Sequence, residues 1–90
     1  MENDNYKNLY KTITSINDVK VCQNFFEDIC TPKELKDLSD RLLVANLLLE
    51  GATYESIIKE TGMSSTTIAR INRTLLYGAG GYEKVLGKKK

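Results

Sequence analysis

The residues between Thr31 and Gly51 carry the signals of a long helix, and this helix limits the possible folds of the chain more than any other segment. Its start has the form of a capping box, with a threonine cap, Pro32 in the first turn and Glu34 placed to reach back to the cap. Gly51 supplies the left-handed residue that commonly follows a helix. These signals predict a helix from Pro32 to Glu50.

The second half of this helix is too apolar for a helix with a single buried face. From Leu42 to Leu49 only Asn46 interrupts the apolar residues. A helix that is apolar on several sides needs cover on several sides, and a chain of 90 residues buries only about 60–65% of the surface that its unfolded form exposes. A second copy of the chain is the expected cover.

The apolar residues of the N-terminal third also repeat at helical spacing. A first short helix is predicted by four of them: Tyr6, Leu9, Tyr10 and Ile13. A second helix, capped by Ser15 or Asn17, would carry a stripe of residues three and four apart: Cys22, Phe25, Phe26 and Ile29. Such a stripe predicts a face that packs in the core.

Two short helices flank Gly62. The hydroxyl of Thr53 would cap the first helix, 54–61, in which Ile57 and Ile58 are the expected buried residues. Glycine tolerates the left-handed conformation that a tight turn between helices requires. The first helix is therefore expected to end at Gly62.

The hydroxyl of Ser64 would cap the second helix by accepting a backbone N–H, and this helix is expected to end near Tyr77. Its inward-facing residues lie at i, i+3 and i+7: Ile68, Ile71 and Leu75. Two short helices joined through a glycine turn are typical of a helix-turn-helix motif. Residues 54–77 are predicted to form this motif.

The rest of the chain completes a helical fold. Tyr82 to Leu86 predicts a last short helix after a glycine-rich loop. The sequence shows no strand-like alternation and no internal repeat, so the chain is expected to be all-α, with about six helices in one domain, 1–90. The polar residues 1–5 and the lysine tail, 87–90, are expected to be flexible.

The second helix of the motif carries the residue types that a DNA-reading helix needs. Such a helix enters the major groove with its N-terminal residues against base edges. Short hydroxyl side chains allow close approach, and arginines one and two turns later suit phosphate contact or guanine readout. The predicted DNA-contacting residues are Ser65, Thr66, Thr67, Ala69, Arg70, Arg73 and, on the preceding helix, Lys59. A Ser/Thr run at a helix start can also be only a cap with solvated neighbours.

The charge distribution favours a polyanionic partner for the same segment. The net charge is only +1, but residues 1–60 carry seven basic and eleven acidic side chains, whereas residues 61–90 carry six basic and one acidic. No acidic residue lies between Thr61 and Tyr82. A polyanion such as DNA would meet least repulsion there.

Several function classes lack the residues that they need. The chain has no histidine, the commonest general base, and no nucleophile or phosphate-binding motif, so an enzyme is not expected. Cys22 and Cys30 have too few further ligands for a metal site and are expected to be apolar thiols in a reducing compartment. The chain has neither a membrane-length apolar run nor a signal-peptide pattern. A cytoplasmic, nucleoid-associated protein is expected.

Two consecutive segments resemble a known family. They are CTPKELKDLSDRLLVANLLLEG, residues 30–51, and TYESIIKETGMSSTTIARINRTL, residues 53–75. The threonine-proline helix start, the arginine ten residues after Thr31 and the T-x-x-R pattern in the second helix of the motif resemble the tryptophan repressor family, most closely the Trp-repressor-like proteins of the YerC/YecD type. The resemblance implies an all-α, intertwined homodimer that binds a palindromic operator through two helix-turn-helix units.

The resemblance also implies a pocket for an effector. In the tryptophan repressor an amino-acid corepressor lies beside the motif, with its indole between two arginines. The matching positions in this sequence are Arg41 and Arg70, and two further pocket positions match Thr31 and Thr67. These four residues are the candidate effector pocket. From the residues alone, Arg41 could equally form a salt bridge with Asp37 or Asp40.

The chain departs from the family pattern around this pocket. The departures lie at Ile71, Asp28 and Cys30. Ile71 stands where the family has a glycine, and its side chain would intrude on the ligand space, while the other two stand where the repressor has leucines. A filled pocket loses the cavity that a ligand needs. Tryptophan is therefore disfavoured as a corepressor, and no cofactor is expected.

The leading hypothesis is a sequence-specific, DNA-binding transcriptional regulator, a dimeric repressor that acts by occupying a palindromic operator. The alternative is a helical dimer that does not read DNA and uses the same basic face to dock an acidic protein or RNA. The two differ in a simple observable, because only the first predicts selection of particular DNA sequences.

Overall fold

The computed structural model describes residues 4–87, and these residues form six α-helices without a strand. The helices are α1 Asp4–Thr14, α2 Val19–Ile29, α3 Pro32–Leu49, α4 Tyr54–Thr61, α5 Ser65–Tyr77 and α6 Gly81–Leu86. The predicted all-α fold is confirmed. Most of the two ends that were predicted to be flexible, residues 1–3 and 88–90, lie outside the described residues. No helix in residues 4–87 is long and apolar enough to cross a membrane.

The chain divides into two compact units, residues 1–35 and residues 36–90. In the first unit, the side chain of Asp18 caps α2, because its Oδ2 accepts the backbone N–H of Val21 at 3.0 Å. The prediction of Ser15 or Asn17 as this cap is wrong. The Ser15 hydroxyl instead donates to the Thr12 carbonyl at 2.7 Å, and so it belongs to the end of α1.

Neither α1 nor α2 has a buried side chain. The predicted core stripe of α2 is only partly covered: the rings of Phe25 and Phe26 meet edge to face with centroids 5.7 Å apart, and Ile29 is 52% exposed. The prediction that this stripe is a buried core face is therefore wrong for a single copy of the chain. Its apolar residues remain accessible to a surface outside the chain.

The capping box at the start of α3 forms as predicted. The Thr31 N–H donates to Oε1 of Glu34 at 2.9 Å, and the Glu34 N–H donates to the Thr31 hydroxyl at 3.1 Å. α3 ends at Leu49, one residue before the predicted end, and Gly51 follows with a φ of 91°. The N–H of Gly51 donates to the Leu48 carbonyl at 3.0 Å, which closes the helix end.

The second unit has a core of its own. Its buried cluster is formed by residues of α3, α4 and α5: Val44, Ala45, Ile57, Ile68 and Ile71. The partly buried Met63, Tyr82 and Leu86 pack against this cluster, so the turn after α4 and the last helix also contribute to it. The inward positions predicted for Ile57, Ile68 and Ile71 are confirmed.

Some apolar residues of the second unit lie outside this core. Ile58 is 38% exposed, so its predicted burial is wrong: on a helix of eight residues only Ile57 faces the core. Leu42 and Leu43 on α3 are 47% and 42% exposed. The apolar second half of α3 is therefore buried over only part of its surface in a single copy of the chain.

Candidate nucleic-acid interface

Helices α4 and α5 form the predicted helix-turn-helix through local hydrogen bonds. The Thr53 hydroxyl accepts the Ser56 N–H at 3.1 Å and so caps α4. Gly62 ends α4 with a φ of 76°, and its N–H donates to the Ile58 carbonyl at 2.8 Å. The Met63 N–H donates to the Thr61 hydroxyl at 3.1 Å, which ties the turn to the end of the helix.

The start of α5 is held by a pair of hydroxyls. Ser64 has an extended backbone, with φ −72° and ψ 155°, and its Oγ accepts the Thr67 N–H at 3.2 Å. The two hydroxyl oxygens of Ser64 and Thr67 are 3.1 Å apart. The side chain of Thr67 is partly buried, whereas Ser65 and Thr66 are exposed. Thr67 therefore contributes to the cap, and its two neighbours remain available to a partner.

The outward face of α5 carries most of the predicted contact residues. Five of them are exposed: Ser65, Thr66, Ala69, Arg70 and Arg73. Lys59 is also exposed, in the last turn of α4. The opposite face is buried through Ile68 and Ile71. Core packing thus presents to solvent a helix surface made of small polar side chains and arginines.

A cleft in the second unit brings three of the four predicted effector residues together. It has a volume of about 490 Å³ and is lined by Asp37, Asp40, Arg41, Met63, Thr67, Arg70, Ile71, Thr74 and Tyr82. Thr31 is not among these lining residues. It lies in the first unit, where its hydroxyl caps α3. Three of the predicted effector residues therefore line one cleft: Arg41 on α3, and Thr67 and Arg70 on α5.

The lining of this cleft combines the aliphatic side chain of Ile71 with two acidic side chains, Asp37 and Asp40. Ile71 is 6% exposed and lines the cleft wall, and a cleft of about 490 Å³ remains beside it, so the side chain does not fill the pocket as predicted. Asp40 is paired with Lys36, with Nζ and Oδ2 2.8 Å apart. That hydrogen bond and the charge of Asp40 raise the pKa of Lys36 above its ordinary value. The cleft thus presents both signs of charge beside an aliphatic wall.

Sequence reasoning missed two aromatic residues of this region. Tyr82 lines the cleft from α6, beyond a glycine loop, and no spacing rule relates it to α5. Tyr77 ends α5, and the Arg73 guanidinium carbon lies 5.7 Å from the centre of its ring. The spacing of four residues between Arg73 and Tyr77 on one helix was the available signal for this second pair.

Comparison with known proteins assigns the family. Residues 4–90 match the family model described as Trp repressor protein. The chain is 45% identical to the uncharacterized protein YerC of Bacillus subtilis (strain 168) over 82 residues, which are 91% of this chain and 79% of YerC.

Two solved structures are similar over nearly the whole chain. A TrpR-like protein from Eubacterium eligens ATCC 27750 has a TM-score of 0.89 and 41% identity, over 94% of this chain and 88% of that chain. A candidate Trp repressor from Staphylococcus aureus has a TM-score of 0.88 and 35% identity, over 94% of this chain and 85% of that chain. By fold, by motif and by sequence, the chain belongs to the Trp repressor family.

Proposed function

We propose that this chain is a DNA-binding transcriptional regulator whose α5 is the reading helix. One observation carries the proposal: the face of α5 that points away from the core is exposed, has arginines and no acid, and follows a capped glycine turn. That arrangement is what a helix-turn-helix needs to insert its second helix into a major groove. Membership of a family of regulators agrees with the expectation that the chain is not an enzyme.

The proposed contacts divide by side-chain chemistry. Hydroxyl and methyl groups near the start of α5 would meet base edges, from the exposed Ser65, Thr66 and Ala69. Thr67 is partly buried and bonded to Ser64, so it would support these contacts from the cap. Arg70 and Arg73 would contact phosphates or guanines one and two turns later. Lys59, at the end of α4, would contact the phosphate backbone.

We propose that the regulator binds as a homodimer. The exposed apolar side chains of α1, α2 and α3 support this, because Tyr10, Val21 and Leu42 are each at least 47% exposed and a second copy would cover such surfaces. Two reading helices about 34 Å apart would then meet two half-sites of a palindromic operator. A dimer bound to that operator would repress transcription. The protein would act in the cytoplasm, at the nucleoid.

The cleft of the second unit is a candidate effector site within this proposal. Three of the four candidate effector residues line it: Arg41, Thr67 and Arg70. Ile71 occupies part of the wall and disfavours tryptophan. We therefore propose a regulator without an effector, or with one other than tryptophan.

The experiment that tests the proposal selects sequences from random double-stranded DNA with the full-length protein and then measures affinity against salt. Arg70→Ala combined with Arg73→Ala is expected to weaken binding to the selected duplex at least about tenfold. The slope of log affinity against log salt should fall by about two for each copy bound. The matched control is Lys11→Ala combined with Lys20→Ala, which removes the same charge from exposed positions in the first unit.

The outcomes separate the two functions. Enrichment of one sequence, together with loss of binding in the arginine variant alone, supports a sequence-specific regulator. Equal losses in both double variants would mean that total charge matters and not the α5 face. If no DNA sequence is enriched, the proposal fails, and the basic face is better explained as a docking surface for an acidic protein or RNA.

A further inference from the structure

Tyr77 has a large aromatic side chain that lies outside the core of the second unit. It is the last residue of α5 and is 76% exposed. The core of the second unit is formed without it, from Ile57, Ile68 and their neighbours. Its ring lies near Arg73, whose guanidinium carbon is 5.7 Å from the ring centre. This distance is within the range of a cation–π contact.

Tyr77 lies on the same line of the helix surface as the proposed DNA contacts. An α-helix turns by about 100° per residue, so residues seven and eleven positions after Thr66 lie within about 20° of it. Those residues are Arg73 and Tyr77. The ring therefore stands on the proposed reading face.

The position of Arg73 along α5 suits a phosphate contact. Arg73 comes eight residues after Ser65, a distance of about 12 Å along the helix axis. If the first turn of α5 meets base edges in the centre of a major groove about 12 Å wide, Arg73 is carried out to the phosphates at its rim. Arg70 also lines the cleft of the second unit, whereas Arg73 is not among the residues that line it.

We propose that Tyr77 is a positioning residue, which holds the Arg73 guanidinium against its ring so that the guanidinium is oriented for a DNA phosphate. This inference rests on the proposed function of α5. A free arginine loses rotational freedom about several bonds when it binds, whereas one already held beside a ring loses less. A contact through the face of the guanidinium would leave its N–H groups, which lie in its plane, to donate to phosphate oxygens.

Two variants of the full chain separate the ring from the hydroxyl. The probe is a duplex of about 30 base pairs that carries the sequence selected by the wild-type protein, long enough for two half-sites. Tyr77→Leu removes the ring and is expected to weaken binding about two- to fivefold for each copy bound, the range of an exposed cation–π contact. Tyr77→Phe keeps the ring and is expected to bind like the wild type.

The Arg73→Ala variant tests whether the Tyr77 ring acts through the Arg73 guanidinium. In a variant that already lacks Arg73, Tyr77→Leu is expected to cause no further loss, because the ring acts through the guanidinium. A ring that only stabilised α5 or a contact between copies would still matter in this background. Sedimentation and circular dichroism of each variant report whether assembly or helix content has changed.

Each possible result supports or overturns the proposed role of Tyr77. Equal binding of wild type and Tyr77→Leu overturns it, and so does a further loss in the Arg73→Ala background. Loss in Tyr77→Phe also overturns it, by assigning the contact to the hydroxyl. If the wild type selects no DNA sequence, the proposed function itself has failed, which is a different result from a wild type that binds and a Tyr77→Leu variant that binds as well.

Discussion

The two compact units of the chain differ in what they bury, although their helices form from the same kinds of local signal. In residues 4–35, Asp18 caps α2 and apolar stripes mark both helices, yet neither α1 nor α2 has a buried side chain. All six buried hydrophobic residues of the described chain lie in residues 36–87. Capping and periodicity decide that a helix forms, and contacts between residues distant in sequence decide whether it is buried.

This difference bears on how the proposed reading helix is supported. α5 packs through Ile68 and Ile71 on a core that includes Val44 and Ile57, all within the second unit. α1 and α2 contribute no buried side chain, and in the proposed dimer a second copy would cover their apolar faces. We therefore expect substitutions in the two units to respond differently to protein concentration.

Ile57→Ala is expected to have the largest effect. Ile57 is fully buried where α4 meets the core, so the substitution should lower the free energy of unfolding by about 3–4 kcal/mol through lost burial and a residual cavity. Urea denaturation followed by circular dichroism measures this. The control is Ile58→Ala, the same change one residue later at a 38% exposed position, with an expected loss of about 1 kcal/mol. Equal losses would mean that Ile58 is as well covered as Ile57.

Ile29→Ala tests whether a second copy of the chain covers the apolar residues of the first unit. Ile29 is 52% exposed on the apolar stripe of α2. If a second copy covers it, the substitution should cost about 2 kcal/mol, and the unfolding midpoint of the wild type should rise with protein concentration. Asn24→Ala, on an exposed position of the same helix, is the control and should have little effect. A wild-type midpoint that does not change with concentration would argue against the dimer.

The helices of this fold could be predicted from sequence because their signals are local. Thr31 with Glu34, Thr53 and Ser64 each act within three residues, and each forms the predicted cap. The α2 cap was missed because the stretch from Ser15 to Asp18 offers several capping side chains. The choice among them depends on where α1 ends. The position of Ile58 was missed because residues 57 and 58 are both isoleucine, and the sequence alone does not show which of the two faces the core.

The candidate site could be predicted only in part, for a related reason. Arg41, Thr67 and Arg70 line one cleft as the family resemblance implied, and the outward face of α5 follows from its 3.6-residue repeat. Tyr82 joins the cleft through α6, and its place depends on the path of a glycine loop. Side chains brought together by such a path have no sequence spacing that reveals them.

Gly62→Ala is expected to have the smallest effect and tests whether the core or the turn orients α5. A Cβ at Gly62 would meet nothing within 4 Å, so the cost arises only from its φ of 76° and should be about 1–2 kcal/mol of unfolding free energy. Gly81→Ala is the control, because Gly81 also has open space but begins α6 without a positive φ. That variant should be as stable as the wild type or slightly more stable.

Binding of the Gly62→Ala variant to the selected duplex then distinguishes the two sources of orientation. Ile57 and Ile68 are fully buried on either side of the turn, so their packing should hold the angle between α4 and α5 while the turn absorbs the strain. We therefore expect DNA affinity within about twofold of the wild type despite the lower stability. If the variant stays folded and loses affinity about tenfold or more, the left-handed residue itself sets the angle, and the core of the second unit does not position the reading helix alone.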